Sequence, residues 1–334
     1  MKTLVSAMRP TGPLHLGHLV GALDNWARLQ DEYRCLFMVA DWHALMSEYS
    51  RPAVISGYVL DNLADWLSCG VDPKKSIIFL QSRIREHLDL FFILSCLVPL
   101  GWLERCPTYK EQMRELKEKA VASYGFLGYP VLQAADILLY KAEYVPIGED
   151  QLPHLELTRM IARRVNSVYA QGRSAGDKKA SFPQPRPLLT KFPRLLGLDA
   201  RKMSNSYANC IYLGDEPDTA RKKIASMFTD PKRIKLSDPG HPRQCNLYAY
   251  YGLFAEGEKE RLGRQCAEAT IGCTQCKIRL AEIIIARLKP IRKERKRYLS
   301  DKRGLEKILD NGAERASQIA SSTMKELKRA MADK

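Results

Sequence analysis

Short apolar runs alternate with longer stretches of helical periodicity along the first half of this 334-residue chain. Four runs have the length and composition of buried strands: 3–8, 35–40, 76–80 and 143–147. Three stretches repeat apolar residues at helical spacing: 54–67, 88–100 and 152–162. Because strands alternate with helices, we predict an α/β fold, a doubly wound parallel sheet covered on both faces. Ligands bind such sheets at the carboxyl ends of the strands.

Polar residues with chemical potential follow the first strand. Proline and glycine at 10–13 form a turn, and apolar residues recur at helical spacing after Gly17, so His15 and His18 fall at the start of a helix. A helix N-terminus attracts phosphate, Gly17 permits close approach, and imidazoles can donate to phosphate oxygens. The two histidines could instead only cap a surface helix. Their place between an opening strand and a helix favours a nucleotide site.

A second informative stretch is 129–140, Y-P-V-L-Q-A-A-D-I-L-L-Y, which we predict as a helix with Pro130 in its first turn. Tyr129, Gln133 and Asp136 have the spacing of one helix face. A carboxylate in so apolar a helix is costly unless it is paired. Its partner is either a structural group such as an arginine or a ligand that donates a hydrogen bond, and composition leaves both open.

Three further segments are placed by the same pattern. Asp150 follows the strand at 143–147 and can hold a ribose hydroxyl or cap the next helix. Lys202, in K-M-S-N-S, is a mobile phosphate clamp or part of a solvated loop. The charged run 110–121 is a surface helix or loop, and 171–198 is a loop-dominated connection. A helix at 218–228 opens a helical, basic remainder.

The charge balance indicates a polyanionic partner. The net charge is +15, and residues 277–334 hold 17 Lys and Arg against 8 Asp and Glu. Seven basic residues against one acidic residue crowd 287–297. We therefore expect RNA or DNA before a membrane surface, with the contact face largely in the C-terminal part. The sequence has neither a signal-peptide pattern nor an apolar run long enough to span a bilayer, which predicts a cytoplasmic protein with reduced cysteines.

Together these segments resemble the tryptophanyl-tRNA synthetases, a family of class I aminoacyl-tRNA synthetases. H-L-G-H at 15–18 fits the first class I signature. K-M-S-N-S at 202–206 fits the second, except that Asn205 stands where the family usually has a lysine. The likeness runs from residue 1 to about 312. It implies a Rossmann-like catalytic domain at 1–200, followed at 201–334 by the signature loop and a helical anticodon-binding domain.

The resemblance also implies substrates and roles. ATP with Mg²⁺ and L-tryptophan would give tryptophanyl-adenylate, and tRNA(Trp) would receive the amino acid; DNA and membranes are not expected partners, and a homodimer is. Catalytic roles fall on His15, His18 and Lys202. ATP-binding roles fall on Arg9, Thr11, Gly17, His18, Gly148, Asp150, Gln151, Lys202 and Ser204. Tryptophan-binding roles fall on His43, Tyr129, Gln133, Asp136 and Gln151, with Asp136 accepting the indole N–H.

Four clustered cysteines predict a metal site. The cluster consists of Cys245, Cys266, Cys273 and Cys276, and the last two form a C-x-x-C pair. Four thiolates suit zinc or an iron–sulfur cluster. Their spacing resembles that of family members with a 4Fe-4S cluster near the anticodon-binding region, which favours the cluster over zinc.

Two alternatives remain open. The chain could be a synthetase paralogue that has lost aminoacylation and serves as an RNA-binding or metal-sensing protein. Asn205 is the only feature that supports this reading, because it removes one positive charge from the signature loop. The chain could also be an enzyme of the same class that acts on tyrosine or a modified tryptophan.

Overall fold

The computed structural model describes residues 1–106, 123–170, 182–189 and 195–332. It contains one sheet of five parallel strands in the order β3-β2-β1-β4-β5. The strands are β1 (Thr3–Met8), β2 (Arg34–Val39), β3 (Ile77–Leu80), β4 (Tyr144–Ile147) and β5 (Arg186–Leu189). The four predicted strands and the doubly wound α/β class are confirmed, with ends shifted by one residue at most. The charged run predicted at 110–121 lies outside the described residues.

Helices flank this sheet and are the main regular elements of the described C-terminal part. Those before β4 are α1 (Leu16–His18), α2 (Asp24–Leu29), α3 (Asp41–Glu48), α4 (Ala53–Ser68), α5 (Glu86–Ser95), α6 (Leu100–Glu104) and α7 (Tyr124–Leu139). Those after it are α8 (Leu152–Ala170), α9 (Pro217–Ala225), α10 (Asn246–Phe254), α11 (Glu256–Ala267), α12 (Cys273–Ser300) and α13 (Lys302–Ala332). A π-helical turn, Leu19–Leu23, joins α1 to α2.

The strand alternation divides the apolar core between the two faces of the sheet. In β2, Phe37 belongs to the core on one face and Leu36 and Met38 to the core on the other. Successive strand residues point to opposite faces, and both faces of a parallel sheet are buried, so the strand reads as an unbroken apolar run. On the first face Trp26 stacks on Phe37 with ring centroids 4.4 Å apart.

The order of the strands places a crevice between β1 and β4. β1 pairs with β2 on one side, from Thr3 opposite Arg34 to Met8 opposite Val39, and with β4 on the other. The chain runs outward in one direction from β1 to β3 and in the other from β4 to β5. Such a reversal separates the helices at the carboxyl ends of the two central strands and leaves room for a ligand.

The C-terminal helices are fixed to the sheet layer. In α12, Arg295 pairs with Asp65 of α4 at 2.7 Å. The last helix, α13, packs along β3, where a Cβ on Gly312 would lie 1.7 Å from the carbonyl oxygen of Ile78. β3 is an edge strand, so this helix covers a backbone that would otherwise be open to other chains. A side chain larger than hydrogen at Gly312 would prevent that approach.

The structure adds to or differs from three sequence expectations about elements. The helix predicted at 88–100 is two helices, α5 and α6, because the chain breaks before Pro99, which precedes α6. The helix α7 begins at Tyr124, where the Ser123 hydroxyl accepts the N–H of Phe126 at 3.2 Å, so Pro130 lies inside the helix. The connection 171–198 contains β5, whose short R-P-L-L sequence at a sheet edge carries little pattern.

Within the described residues, the structure has no helix long and apolar enough to cross a membrane.

Candidate active site

A cavity of about 430 Å³ lies at the carboxyl ends of β1 and β4. The end of β1 and the start of α2 form one wall, and α7 with the β4 end forms another. Eight of the predicted site residues line it: Arg9, His18, His43, Tyr129, Gln133, Asp136, Gly148 and Gln151. The other six residues predicted for catalysis or substrate binding, all in the described part of the chain, lie outside the lining: Thr11, His15, Gly17, Asp150, Lys202 and Ser204.

The two histidines of the first signature cap the same helix. The N–H of Gly17 donates to His15 Nδ1 at 3.1 Å, and the N–H of His15 donates to His18 Nδ1 at 3.2 Å. Each Nδ1 therefore acts as an acceptor, so each neutral ring carries its proton on Nε2. The capping role and the donor role, which the sequence set against each other, are compatible in this geometry.

Burial keeps both rings uncharged. Desolvation lowers the pKa of His15 to about 3, with a smaller contribution from His18, and lowers the pKa of His18 to about 4. A Cβ on Gly17 would lie 2.9 Å from the His15 ring, so the glycine is required for this packing. The signature thus provides neutral, oriented N–H donors beside a helix N-terminus.

The second signature segment rests on a buried asparagine. Asn209 Nδ2 donates to Asp199 Oδ1 at 2.7 Å and to the carbonyl of Lys202 at 3.1 Å, while its Oδ1 accepts the N–H of Ser204 at 3.0 Å. These bonds hold the ends of the loop, whereas the Lys202 side chain is exposed. The sequence did not single out Asn209, since a polar residue in a loop carries no distinctive pattern.

The two signature segments contact each other. Asn205 Nδ2 donates to the carbonyl of Pro13 at 3.3 Å, and a Cβ on Gly12 would lie 2.4 Å from the same nitrogen. Buried Met203 lies beneath Gly17, 3.7 Å from where a Cβ would stand. Asn205, the residue that departs from the family signature, therefore forms a hydrogen bond between the two loops.

Asp136 is buried at the base of the cavity and holds several hydrogen bonds. His43 Nε2 lies 2.7 Å from Asp136 Oδ2, while His87 Nδ1 and Gln81 Nε2 lie 2.7 and 2.8 Å from Oδ1. Burial raises the pKa of this carboxyl, but the bonds from both histidines outweigh burial and leave its pKa below the usual value. Of the two kinds of partner that the sequence left open, the structure shows a structural one, which consists of two imidazoles and an amide, and Asp136 also lines the cavity where a ligand could reach it.

Tyr129 is oriented by a histidine behind it. Its hydroxyl lies 2.8 Å from His154 Nε2, and His154 Nδ1 lies 3.6 Å from the Cys106 sulfur. Burial lowers the pKa of His154 to about 4 and raises that of Tyr129, so both groups are neutral. If the neutral His154 donates from Nδ1 to Cys106, its Nε2 accepts the Tyr129 proton. The phenol oxygen of Tyr129 then offers acceptor lone pairs to the cavity.

Gly148 and Asp150 form the turn that follows β4. Asp150 is exposed and lies within the single 3-10 turn Glu149–Gln151, whose cap is Gly148. Asp150 therefore lies in the turn that leads from β4 into α8. A Cβ on Gly148 would lie 2.7 Å from Asp150 Oδ1, which makes the glycine necessary for this turn.

Four residues of this region were missed by the sequence analysis: Gln81, His87, Tyr140 and His154. Gln81 directly follows β3, so the rule that ligands sit at strand ends could have identified it. His87 and Tyr140 are buried in apolar helices, and a lone polar group there carries no signal of its partner. Their contacts join segments 50 residues apart and depend on the tertiary fold.

The four clustered cysteines face one small cavity of about 30 Å³ among the C-terminal helices. Burial raises the pKa of Cys245 and Cys266, and that of Cys276 to about 11, so these three thiols are protonated when no metal is present. The donor set suits a metal. Within the described residues, however, no group of three or more His, Cys, Asp or Glu side chains is arranged to hold one.

Comparisons with known proteins agree on one family. The profile described as tRNA synthetases class I (W and Y) matches residues 2–289. A tryptophan–tRNA ligase from Thermotoga maritima is 44% identical, with 98% of each chain covered. One from Ralstonia nicotianae is 40% identical, again with 98% of each covered.

A solved structure is similar over the whole chain. It is the tryptophanyl-tRNA synthetase from Campylobacter jejuni, in complex with ADP and tryptophan, at 32% identity. The similarity covers 99% of this chain and 100% of that one, with a TM-score of 0.85. The sheet order and the C-terminal helices described above are therefore those of a known synthetase architecture.

Proposed function

The chain belongs to the class I tRNA synthetases of the tryptophan and tyrosine family, and from that premise we propose that it is a tryptophan–tRNA ligase. The two relatives cited above are tryptophan–tRNA ligases, and the similarity covers 98% of each chain. The observation that supports tryptophan is Asp136, a buried carboxylate that lines the cavity, has a lowered pKa and can accept an indole N–H. Lys202, which is exposed, and the two capping histidines would meet the nucleotide.

The reaction has two steps. A carboxylate oxygen of L-tryptophan attacks the α-phosphorus of Mg-ATP, the bond to the β-phosphate oxygen breaks, and diphosphate leaves. The terminal ribose hydroxyl of tRNA(Trp) then attacks the carbonyl carbon of the adenylate, and AMP leaves with the bonding electrons. Neither step needs a covalent enzyme intermediate. The protein contributes position and stabilisation of phosphate charge.

We assign the nucleotide to the loops at the strand ends. The Nε2–H groups of His15 and His18 would donate to phosphate oxygens, because both Nδ1 atoms are already used in capping. Lys202 would reach the same phosphates as its loop closes over them. The further ATP contacts of this proposal are Arg9, Thr11, Gly17, Gly148, Asp150, Gln151 and Ser204.

We assign tryptophan to the inner part of the cavity. Its indole N–H would donate to Asp136, next to His43, and Tyr129 would accept from the α-ammonium group. Gln133 and Gln151 would hold the amino or carboxylate end. The phenol of tyrosine is also a donor, so Asp136 alone does not exclude it. The length of the cavity between Tyr129 and Asp136 would then have to discriminate between tryptophan and tyrosine.

We propose that the C-terminal part binds tRNA, in the cytoplasm, where tRNA charging takes place. The domain boundary near residue 200 remains a proposal, because α12 and α13 contribute to the same two cores as the sheet. Support for the tRNA surface comes from the excess of Lys and Arg over 277–334. Neither DNA nor a membrane is needed as a partner.

We propose that the four thiols hold a 4Fe-4S cluster, with zinc as the alternative. Support comes from the resemblance in spacing and from the cavity that Cys245, Cys266, Cys273 and Cys276 share. A cluster would require these side chains to move apart, because a cavity of about 30 Å³ is too small for it. When bound, such a group would pin the C-terminal helices. Iron and sulfide assays on anaerobically purified protein test this, and stoichiometric zinc would contradict it.

We propose a homodimer, with contact through an apolar surface on α5, α6 and α7. The exposed large apolar side chains of these helices are Leu88, Phe92, Leu100 and Tyr124, of which Phe92 is 70% and Tyr124 71% exposed. Large aromatic groups so exposed are typical of an interface. Sedimentation of Phe92→Glu tests it, with Ile234→Glu, 86% exposed, as the matched control. Equal dimer fractions in both variants would contradict the assignment.

ATP–diphosphate exchange with each amino acid in turn tests the function. Exchange with tryptophan alone is expected. Exchange with tyrosine would move the assignment within the same enzyme class. Lack of exchange with every amino acid, from protein shown to be folded, would favour the RNA-binding paralogue. Asn205 would then be the first residue to revert.

A further inference from the structure

The Asp136 carboxylate has almost no free hydrogen-bonding capacity. A carboxylate offers four acceptor positions, two on each oxygen. Oδ1 accepts from Gln81 Nε2 at 2.8 Å and from His87 Nδ1 at 2.7 Å, which fills it. Oδ2 accepts from His43 Nε2 at 2.7 Å. One lone pair of Oδ2 remains for a group in the cavity.

Tyr140 fixes the direction of these bonds. Its hydroxyl lies 2.7 Å from His87 Nε2, and both side chains are buried. If Nε2 carried the imidazole proton, the Nδ1 lone pair would face the Asp136 carboxylate, and two acceptors would oppose each other. The phenol therefore donates to Nε2, and Nδ1–H donates to Asp136. Burial raises the pKa of Tyr140, so its hydroxyl keeps the proton that this requires.

Gln81 is fixed in the same way. Its Oε1 accepts the backbone N–H of Trp42 at 3.2 Å, so its Nε2 is the atom that faces Asp136. Gln81 is fully buried and follows the edge strand β3 directly. Both donors to Oδ1 are thus held from behind by a second hydrogen bond.

We propose that Tyr140, His87 and Gln81 are positioning residues that leave Asp136 with a single acceptor site and thereby select a ring N–H donor. This inference rests on the proposed tryptophan site. A substrate ring without the donor would leave that lone pair unpaired in a desolvated pocket, which costs about 10- to 100-fold in kcat/KM. A ring with an acceptor at that position would face a carboxylate that has no proton to give.

The role of Tyr140 predicts a specific failure when its hydroxyl is lost. In Tyr140→Phe, His87 is free to carry its proton on Nε2 and to present Nδ1 to Asp136. The carboxyl group then loses a donor and takes up a proton or turns away. Selection of the ring N–H weakens, although no residue that touches the substrate has changed.

The experiment compares L-tryptophan with 3-(benzothiophen-3-yl)-L-alanine, in which sulfur replaces the ring N–H. Exchange kinetics give kcat and KM for both substrates in the wild type, Tyr140→Phe and the control Ser76→Ala. Ser76 is fully buried at the other end of β3, and its hydroxyl bonds Gln30. We expect the wild type to prefer tryptophan about 10- to 100-fold in kcat/KM, and Tyr140→Phe to lose up to about tenfold of that preference.

The loss should lie in the KM for tryptophan, with kcat and the kinetics of the sulfur analogue little changed, whereas Ser76→Ala should keep the wild-type preference. An unchanged preference in active Tyr140→Phe would overturn the inference but not the proposed function. Failure of the wild type to use tryptophan would overturn the proposed function itself. If Tyr140→Phe does not fold, ¹⁵N NMR of the wild type can determine which nitrogen of His87 carries the proton. A proton on Nδ1 supports the inference, and a proton on Nε2 overturns it.

Discussion

His15 and His18 cap one helix between them: the N–H of His15 donates to the His18 Nδ1 atom at 3.2 Å, and the His15 ring accepts the N–H of Gly17. Their ring centroids are 3.9 Å apart. One nitrogen of each ring is used to build the turn, and the other remains as a donor. The structural and chemical uses of each ring can therefore be separated by substitution.

The pair His18→Asn and His18→Gln separates the two uses. The Asn oxygen replaces Nδ1 and keeps the cap, while the Gln amide replaces the Nε2 donor and loses the cap. We expect His18→Asn to keep its stability but to lose about 10²-fold in the rate of diphosphate exchange. His18→Gln should keep more activity and lose about 1 kcal/mol of stability. Exchange kinetics and urea unfolding measure both, and parallel losses in the two variants would contradict this separation.

The buried histidines predict a stability that falls in mild acid. The pKa of His15 is about 3, and the pKa values of His18 and His154 are about 4. Between pH 4 and 6.5 the unfolded chain binds protons at these positions and the folded chain does not, so stability rises with pH and levels off above the unfolded pKa. Each histidine contributes a loss of about 1.4 kcal/mol on going from pH 7.5 to 5.5.

Urea unfolding of the wild type and His154→Gln at both pH values isolates one of these contributions. The variant should lose about 1.4 kcal/mol less than the wild type over the same interval, because it lacks one group that protonates on unfolding. Carboxylates that titrate in the same range cancel in this comparison. An identical loss in the two proteins would show that His154 binds protons equally in the folded and unfolded states, which would contradict its lowered pKa.

We expect that the adenylation rate is limited by Asn205, which stands where the family signature has a lysine. Asn205→Lys would restore a positive charge to the loop, and we expect faster diphosphate exchange, by up to about tenfold. Arg201 does not replace the charge, because its guanidinium is paired with Asp199 at 2.6 Å and lies over the Tyr207 ring.

The variant Asn205→Ala provides the control for the contact that the lysine substitution also removes. It loses the bond to the Pro13 carbonyl without adding charge. A slower Asn205→Ala and a faster Asn205→Lys would assign the effect to charge. An unchanged or lower rate in Asn205→Lys would mean that the bond between the two loops matters more than the missing charge.

The parts of the fold that were predicted are those with a strong local pattern. β2 is apolar throughout because both of its faces are buried, so its existence was evident from the sequence alone. β5 was missed because R-P-L-L, at a sheet edge, has neither length nor alternation. The helix α7 was predicted correctly, but its first residue was not, because the Ser123 cap lies outside the apolar run.

In the candidate site too, only the residues that share a local sequence pattern could be predicted. The face of α7 that carries Tyr129, Gln133 and Asp136 follows from helix geometry, and all three line the cavity. Their assigned roles remain proposals. The partners of Asp136 could not be predicted, because Gln81 and His87 come from other segments and meet it only in the folded chain. Sequence identified the carboxylate, and the tertiary structure identified the groups that keep it ionised.

The close packing of Gly312 predicts that a change in the C-terminal helix α13 affects the active site through β3. Its backbone lies against Ile78 of β3, and β3 leads directly into Gln81, which bonds Asp136. In Gly312→Ala the new Cβ would stand 1.7 Å from the Ile78 carbonyl oxygen, so either the helix or the strand must move. Both are packed into the core. We therefore expect a loss of about 3 kcal/mol or more in unfolding free energy and a higher KM for tryptophan.

The matched control is Gly57→Ala, also inside a helix, where a Cβ would meet nothing within 4 Å. That change should stabilise the protein by about 0.5–1 kcal/mol, because alanine costs less backbone entropy than glycine in a helix. Urea unfolding and exchange kinetics on both variants separate packing from propensity. If Gly312→Ala were as stable as Gly57→Ala, the close contact with β3 would not exist in solution. A destabilised Gly312→Ala with an unchanged KM would show that β3 moves without carrying Gln81 with it.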